Sequence, residues 1–270
     1  MSPIMPTWTA PGGVRLHFRE VGSGPPVVLL HAFPLTGEMF EPQWTALGNR
    51  ARFIVPDLRG FGGSDTVPSP SEMGTMADDV LSLLDHLGVD SAVVGGVSMG
   101  GYASLALLRN DPGRVRGLVL ADTQTSADDA PPRARREATA RDVLELGPTA
   151  LLPTVSALLG PSASPELRAR VSAWIAGGSA EGFAAAQRGM ALRPDARDIL
   201  ARFGGPVLVV VGRDDVLTPP AKARAMADLV SGAELVEIPG AGHLANLEQP
   251  LAFNAALVRF LDRTSARAAG

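Results

Sequence analysis

The chain alternates short, almost continuously apolar segments with longer segments in which apolar residues repeat at helical spacing. One early segment, residues 14–21, alternates apolar and polar positions and predicts an antiparallel strand. The later short segments lack that alternation, which is typical of strands buried on both faces of a parallel sheet. These segments are residues 25–31, 51–57, 91–96, 115–122, 206–215 and 233–240.

Helical periodicity fills the intervals between several of these strands. Residues 75–88 place their apolar side chains on one face, with Thr75 as a predicted N-cap and Gly88 as a predicted stop. Residues 248–263 repeat the pattern, and residues 263–270 are expected to fray. The alternation of strand and helix predicts right-handed βαβ units and a doubly wound sheet.

One region breaks this alternation. Residues 123–202 lie between two predicted strands, are rich in Ala, Arg, Pro and Gly, and predict several short helices without a strand. An insertion at this point would lie over the carboxyl ends of the strands, where open α/β sheets bind ligands. We therefore predict a core domain of residues 1–122 and 203–270 and a helical cap of residues 123–202.

Composition narrows the class of protein. The 270 residues include no cysteine, which excludes disulfides and thiolate metal sites, and the four histidines lack a helical metal-ligand spacing. A formal net charge of −4 argues against a nucleic-acid-binding protein. The densest basic cluster is interpreted as a solvated helix face: Arg133, Arg135 and Arg136.

The sequence also bears on location. No apolar run is long enough to span a bilayer, and the amino-terminal segment has no basic stretch followed by an apolar one. We therefore expect a cytoplasmic protein with neither a membrane nor a nucleic acid as partner. The sequence carries no indication of its oligomeric state.

A serine between glycines stands at a predicted strand-to-helix junction. Residues 96–100, Gly-Val-Ser-Met-Gly, fit the pattern G-x-S-x-G, in which a tight turn raises the serine hydroxyl above the sheet as a nucleophile. Two other interpretations are a phosphate-binding turn and a tight turn with an incidental serine. The segment lacks the G-x-G-x-x-G spacing and the Lys-Ser/Thr pair of phosphate-binding loops, so we favour the nucleophile Ser98.

A serine hydroxyl needs a general base, and the base needs a carboxylate that orients it. His243 is the only histidine that follows Ser98, and it lies in a glycine-flanked loop after a predicted strand. This agrees with the chain order Ser, acid, His that such a turn predicts. Asp122, Asp214 and Asp215 all lie near strand ends, so the residues alone leave the acid open.

The same chemistry needs two backbone N–H groups that bind the oxyanion. Met99 directly follows the serine and is the first candidate, and Phe33, in the loop after strand 25–31, is the second. Side chains that contact the substrate are expected in the cap. The candidates are Trp174, Phe183 and Arg188.

Taken in order, these motifs resemble those of the α/β-hydrolase family. The resemblance rests on the serine turn, on residues 31–34 (HAFP) and 57–65 (DLRGFGGSD), and on Asp215 and His243. It covers nearly the whole chain. It implies a mostly parallel eight-stranded sheet flanked by helices, a helical cap after the sixth strand, a Ser–His–acid triad and no cofactor or metal. The family's acid commonly lies four residues before a proline, which favours Asp215, followed by Pro219.

Within that family, residues 97–101, 182–193 and 243–250 are similar to the 3-oxoadipate enol-lactonase group and its esterase relatives. The resemblance implies hydrolysis of a small-molecule carboxylic ester or lactone, with 3-oxoadipate enol-lactone as the named candidate. Haloalkane dehalogenases and epoxide hydrolases carry Asp at the elbow, so Ser98 argues against both. Three alternatives stay open: a cofactor-free haloperoxidase-type perhydrolase, a carbon–carbon bond hydrolase, and a non-catalytic hydrolase-like binder of a small ligand.

Overall fold

An eight-stranded, mostly parallel sheet forms the centre of the structure, a computed structural model that describes residues 6–67 and 70–268. Residues 1–5, in the segment where no secretory signal is expected, lie outside the described residues. The strands are β1 Thr7–Thr9, β2 Arg15–Val21, β3 Pro26–Leu30, β4 Arg52–Pro56, β5 Ala92–Val97, β6 Val115–Ala121, β7 Val207–Gly212 and β8 Glu234–Ile238.

The order of the strands across the sheet is β1-β2-β4-β3-β5-β6-β7-β8. β1 pairs antiparallel with β2, and β2 antiparallel with β4, while every later pairing is parallel. All residues of β5 and β7 are buried, so the prediction of a sheet covered on both faces is confirmed. Strand β1 was missed because three residues are too short to display a period.

Helices alternate with most of the strands along the chain and flank the sheet. They are α1 Glu41–Leu47, α2 Met73–His86, α3 Met99–Asn110, α4 Ala130–Leu146, α5 Val155–Leu158, α6 Pro165–Ala176, α7 Ala180–Leu192, α8 Arg197–Arg202, α9 Pro220–Ala227, α10 Ala245–Glu248 and α11 Pro250–Ala268. Within the described part of the chain, no helix combines the length and apolarity that a membrane crossing needs.

Two predicted helix boundaries are wrong. Helix α2 begins at Met73 after the extended residue Glu72, so Thr75 lies inside the first turn and is not the N-cap. Helix α11 continues to Ala268, beyond the end predicted at residue 263, and the Arg263 guanidinium pairs with Glu234. The buried Thr264 hydroxyl also donates to a carbonyl one turn earlier in the helix, at 2.8 Å. Residues 269–270 lie outside the described part of the chain.

Residues 123–202, here called the cap segment, connect β6 to β7. All of them are described, and they contain the helices α4–α8 with a 3₁₀ helix, Pro148–Thr154, and no strand. Helices α4 and α7 pack against each other. The division into two domains at these boundaries stays a prediction.

Candidate active site

Ser98 lies at the turn between β5 and α3, in a strained backbone conformation. Its φ of 54° and ψ of −112° are values that residues other than glycine rarely adopt. A Cβ atom on Gly96 would lie 2.1 Å from the carbonyl carbon of Gly100, and a Cβ on Gly100 would lie 1.9 Å from the carbonyl oxygen of Leu30. The two glycines are therefore required because α3 starts against the turn and β3 without space for a side chain.

Ser98, His243 and Asp215 form a continuous hydrogen-bonded relay. The Ser98 Oγ lies 2.8 Å from His243 Nε2, and His243 Nδ1 lies 2.8 Å from Asp215 Oδ2. The three residues follow the carboxyl ends of β5, β8 and β7, which meet at the same edge of the parallel sheet. The structure thus brings together residues that are far apart in the sequence.

The Asp215 carboxylate is held by several donors besides the histidine. Its Oδ1 accepts the backbone N–H groups of Leu217 and Thr218 at 2.8 and 2.9 Å, and its Oδ2 accepts the Thr218 hydroxyl at 2.7 Å. Burial raises the pKa of Asp215, but the hydrogen bond and charge of His243, with the bonds from Thr218, lower the pKa below its usual value overall. The carboxylate is therefore ionised at neutral pH.

The other two acids that the sequence left open do not contact His243. Asp214 is exposed. Asp122 is fully buried, and its two carboxylate oxygens accept the backbone N–H groups of Gly212, at 2.8 Å, and Ala245, at 3.1 Å. Burial, with the nearby charge of Asp215, places the pKa of Asp122 well above its usual value. Asp122 thus ties the ends of β6 and β7 to the loop that follows His243.

The two N–H groups predicted to bind an oxyanion have no hydrogen-bond acceptor in the described part of the chain. Within the described residues, neither the Phe33 N–H nor the Met99 N–H donates a hydrogen bond to the protein. Met99 is the first residue of α3, where backbone N–H groups have no intrahelical acceptor and favour negative charge. The Phe33 ring packs edge-on against Phe61 and Phe183, with centroids 6.2 and 5.5 Å away.

Ser98 and His243 open into a cavity of about 690 Å³ between the sheet edge and the cap segment. This volume is in the range of pockets that hold small-molecule ligands. The core contributes Phe33, Tyr102 and Leu217 to its wall. Polar and apolar side chains of the cap segment also line it, among them Arg135, Arg136, Thr139, Leu151, Gln187 and Met190.

The three cap residues predicted to bind substrate are placed elsewhere. Trp174 lies under the Arg170 guanidinium, 4.6 Å from the ring centroid. Phe183 is buried against aromatic rings of the core, and Arg188 forms a bidentate ion pair with Glu137 at 2.9 and 3.0 Å. None of the three lines the cavity, so this prediction is corrected.

An ionic cluster beside the cavity holds three charged residues of the cap segment together. Asp128 pairs with Arg136 and, at 2.6 Å, with Arg193, whose guanidinium lies 4.2 Å above the Tyr102 ring. Arg136 also donates to Gln187 at 3.1 Å. Burial raises the pKa of Asp128, but the hydrogen bonds from the two arginines outweigh it and the pKa is lowered. The interpretation of Arg136 as part of a solvated helix face is therefore wrong.

Two other cations on the cavity wall make no ion pair among the described residues. They are Arg135, which is exposed on α4, and Lys222, which is exposed on α9 and is the only lysine of the chain. An exposed acid, Asp129, also lines this wall. The wall therefore offers two uncompensated positive charges and one negative charge to a ligand. Lys222 is not among the binding residues predicted from the sequence, although a lone lysine is easily recognised there.

The chain is similar to known proteins along most of its length. A family model described as "alpha/beta hydrolase fold" matches residues 25–250. The chain is 30% identical over 256 residues to 3-oxoadipate enol-lactonase 2 of Acinetobacter baylyi, covering 93% of this chain and 94% of that protein.

Two solved structures are similar over nearly their whole length. One is a thermophilic esterase from Thermogutta terrifontis with malate bound, with a TM-score of 0.93 and 38% identity over 96% of this chain and 98% of that chain. The other is the enol-lactonase from Burkholderia xenovorans, with a TM-score of 0.87 and 28% identity over 95% of this chain and 100% of that chain.

Proposed function

The chain belongs to the alpha/beta hydrolase fold family, and from this premise we propose that it hydrolyses small carboxylic esters or lactones through Ser98, His243 and Asp215. The observation that carries the proposal is the relay of two 2.8 Å contacts that ends in a cavity of about 690 Å³. The names of the similar proteins, esterases and enol-lactonases, support this class of reaction.

Acyl transfer to the serine begins the reaction. The Ser98 Oγ attacks the acyl carbonyl carbon while His243 Nε2 takes the hydroxyl proton. The tetrahedral intermediate then collapses, the bond between the acyl carbon and the leaving oxygen breaks, and His243 gives the proton to that oxygen. A lactone follows the same step, but its leaving oxygen stays attached to the acyl group through the opened ring.

Water completes the cycle. His243 takes a proton from a water molecule, whose oxygen attacks the acyl-enzyme, and returns the proton to Ser98 as the carboxylic acid leaves. During both halves the ionised Asp215 stabilises the imidazolium at 2.8 Å. The free N–H groups of Phe33 and Met99 are suited to the negative charge on the carbonyl oxygen.

Among esters and lactones, 3-oxoadipate enol-lactone is the candidate that we favour. Ring closure uses one carboxyl group of this diacid and leaves the other as a carboxylate. The uncompensated cations Arg135 and Lys222 on the cavity wall are suited to such a group. The enol-lactonase names among the relatives support the same choice.

A graded set of chromogenic esters and of lactones tests the reaction. We expect wild-type turnover, and a loss of roughly 10⁶-fold in kcat for Ser98→Ala, as for the nucleophile of a studied serine protease. The circular dichroism spectrum should be unchanged. More than a tenth of wild-type activity in Ser98→Ala would exclude this nucleophile. A folded wild-type protein that turns over none of the compounds would favour the non-catalytic binder.

A further inference from the structure

The loop that carries His243 is fastened directly to the cap segment. The His243 backbone N–H donates to the carbonyl oxygen of Leu158, at the end of α5, at 3.1 Å. Gly242 and Gly160 lie so close that a Cβ atom on Gly242 would be 2.4 Å from the Gly160 nitrogen. The position of the histidine therefore depends on the cap segment as well as on the sheet.

One carboxylate joins both sides of this contact. Glu248 Oε1 accepts the backbone N–H groups of Gly242 at 2.9 Å and Leu244 at 3.3 Å, the two residues that flank His243. Its Oε2 accepts the Gly160 N–H of the cap segment at 2.8 Å. We call these three hydrogen bonds the Glu248 bridge. The bridge uses backbone donors on both sides of the histidine and one from the cap.

The cap side of the bridge has a second support. Arg168 of α6 donates from its guanidinium to the carbonyl oxygen of Gly160 at 2.5 Å. Gly160 is thus held through its N–H by Glu248 and through its carbonyl by Arg168. The positive charge of Arg168 also favours the ionised form of Glu248.

We propose that Glu248 is a positioning residue whose carboxylate, through the Glu248 bridge, holds His243 in line with Ser98 while the cap segment is docked. The kinetic part of this proposal rests on the proposed hydrolase function. The hydrogen bonds of Glu248 go to backbone N–H groups and not to Ser98 or the imidazole, so it acts through the backbone on either side of His243.

The ionised form is the one that fits the bridge. An ionised carboxylate only accepts hydrogen bonds, so its two oxygens satisfy all three N–H donors. Protonation converts one oxygen into a donor that faces an N–H group, and the bridge then loses an acceptor. We therefore expect acid to release the histidine loop from the cap segment.

The surroundings of Glu248 raise its pKa, so the release of the loop is shifted toward neutral pH. Burial raises the pKa of Glu248, and it outweighs the opposing effects of the N–H donors from Gly242, Gly160 and Leu244 and of the charge of Arg168. The other titratable groups facing this loop are Asp122, whose pKa the charge of Glu248 helps to raise, Asp215, which contacts the imidazole, and His243 itself.

The pH profile separates positioning from a merely structural role. If catalysis needs both a neutral His243 and an ionised Glu248, log(kcat/KM) for a non-ionising ester should fall on the acid side with a slope that approaches two. Glu248→Gln removes one of these ionisations, so its slope should return to one. The exposed Glu145→Gln is the matched control and should keep the wild-type slope.

Glu248→Gln should also affect kcat and KM differently. We expect Glu248→Gln to lower kcat by about tenfold to a hundredfold, the factor that corresponds to the free energy of a hydrogen bond to a charged group, with KM within about threefold. Arg168→Met weakens the same contact from the cap side and should lower kcat less. The two changes should combine to less than the product of their effects, because they act on one contact.

Hydrogen exchange tests the bridge without any activity. At neutral pH, the amides of Gly160, Gly242 and Leu244 should lose at least about tenfold protection in Glu248→Gln, and Gly160 should lose part of it in Arg168→Met. Glu145→Gln should match the wild type. Loss of protection in a protein that hydrolyses no ester would reject the proposed function and retain the bridge.

Several results would overturn the proposal. Unchanged protection in Glu248→Gln would exclude the bridge, and a wild-type acid slope of one would exclude a positioning role for the Glu248 charge. If Glu248→Gln does not fold, the wild-type slope and the exchange of Gly160 in Arg168→Met still decide the question.

Discussion

The carboxyl edge of the sheet and the cap segment face each other across one cavity, yet they are built on different principles. At the sheet edge, each functional side chain stands in a short local motif at the end of an apolar strand, as Ser98 does after β5 and Asp215 does after β7. The cap segment instead positions its cavity wall by contacts between helices, such as the pairing of Asp128 with Arg136 and Arg193.

This difference separates two tasks. The proposed bond-breaking groups belong to the sheet, whose buried strands fix them with little freedom. The groups that would distinguish one substrate from another belong mainly to the cap segment and its neighbour α9. Changes at the sheet edge should therefore affect all substrates alike. Changes on the cap side should affect stability or the choice among substrates, except at the contact of Leu158 and Gly160 with the His243 loop, where they should lower kcat.

The largest effect that we expect to distinguish the sheet edge from the cap segment is a loss of activity on changing Asp215. Asp215→Asn should lower kcat by about 10⁴-fold for every ester, because the amide no longer holds the required histidine tautomer, as in the analogous change of a serine protease. The exposed neighbour Asp214→Asn should stay within about twofold. Steady-state kinetics on esters of different acyl size measure both. A larger loss in Asp214→Asn would reassign the acid.

The next effect lies in the cap segment and concerns stability. Asp128→Asn leaves the buried guanidinium of Arg193 and the half-buried guanidinium of Arg136 without their carboxylate, and breaking a buried ion pair typically costs about 3 kcal/mol or more. The exposed neighbour Asp129→Asn should change the free energy of unfolding by less than about 0.5 kcal/mol. Chemical denaturation followed by fluorescence compares the two. Equal stability of both variants would show that the cluster is dispensable.

The lowered pKa of Asp128 also makes the free energy of unfolding depend on pH. The pKa of Asp128 is lowered in the folded protein, so its contribution to stability is complete above its ordinary pKa of 3.8 and is lost as the pH falls through the folded value. Wild-type stability should therefore fall more steeply with acid below about pH 4 than that of Asp128→Asn. Parallel curves of unfolding free energy against pH would contradict this.

The smallest effect concerns the choice among substrates. Arg135→Gln and Lys222→Gln should each lower the ratio of kcat/KM for a dicarboxylic half-ester to that for the neutral diester by about two- to fivefold, because they remove unpaired charges near exposed solvent. Asp129→Asn should raise this ratio, and Arg133→Gln, on the same helix but away from the cavity wall, should leave it unchanged. Added salt should reduce all of these differences.

If the ratio of kcat/KM for the half-ester to that for the diester is unchanged in Arg135→Gln and Lys222→Gln, the proposed division of tasks between the sheet edge and the cap side is wrong. That result would also remove the support that these cations give to an anionic lactone as substrate. Activity on neutral esters would then remain as the proposed function.

What the sequence predicts follows the same division. Ser98 was predictable because its glycines and its strand lie within a few residues of it. Three aspartates lie near strand ends, so their local sequence does not show which one orients His243. The spacing to Pro219 that is common in the family was needed to favour Asp215. Strand β1 was too short to be recognised from periodicity, although seven of the eight strands were predicted.

The cavity wall was less predictable because it depends on pairings distant in the sequence. Arg136 belongs to a run of arginines typical of a solvated face, and its partner Gln187 lies 51 positions away on another helix. Trp174 and Phe183 were candidates for contact with a ligand, yet the Trp174 ring lies against Arg170 of its own helix and the Phe183 ring is buried against Phe33. Nothing in a single sequence distinguishes these outcomes.

The hydrogen bond from the His243 backbone to Leu158 also constrains how this scaffold can be re-engineered. The junction between β6 and β7 invites the exchange of one cap for another, since it is an insertion point on an otherwise complete sheet. A transplanted cap would need to present a carbonyl where Leu158 has one and an N–H where Gly160 has one. Chimeras that ignore these two backbone groups should bind new ligands while turning them over slowly.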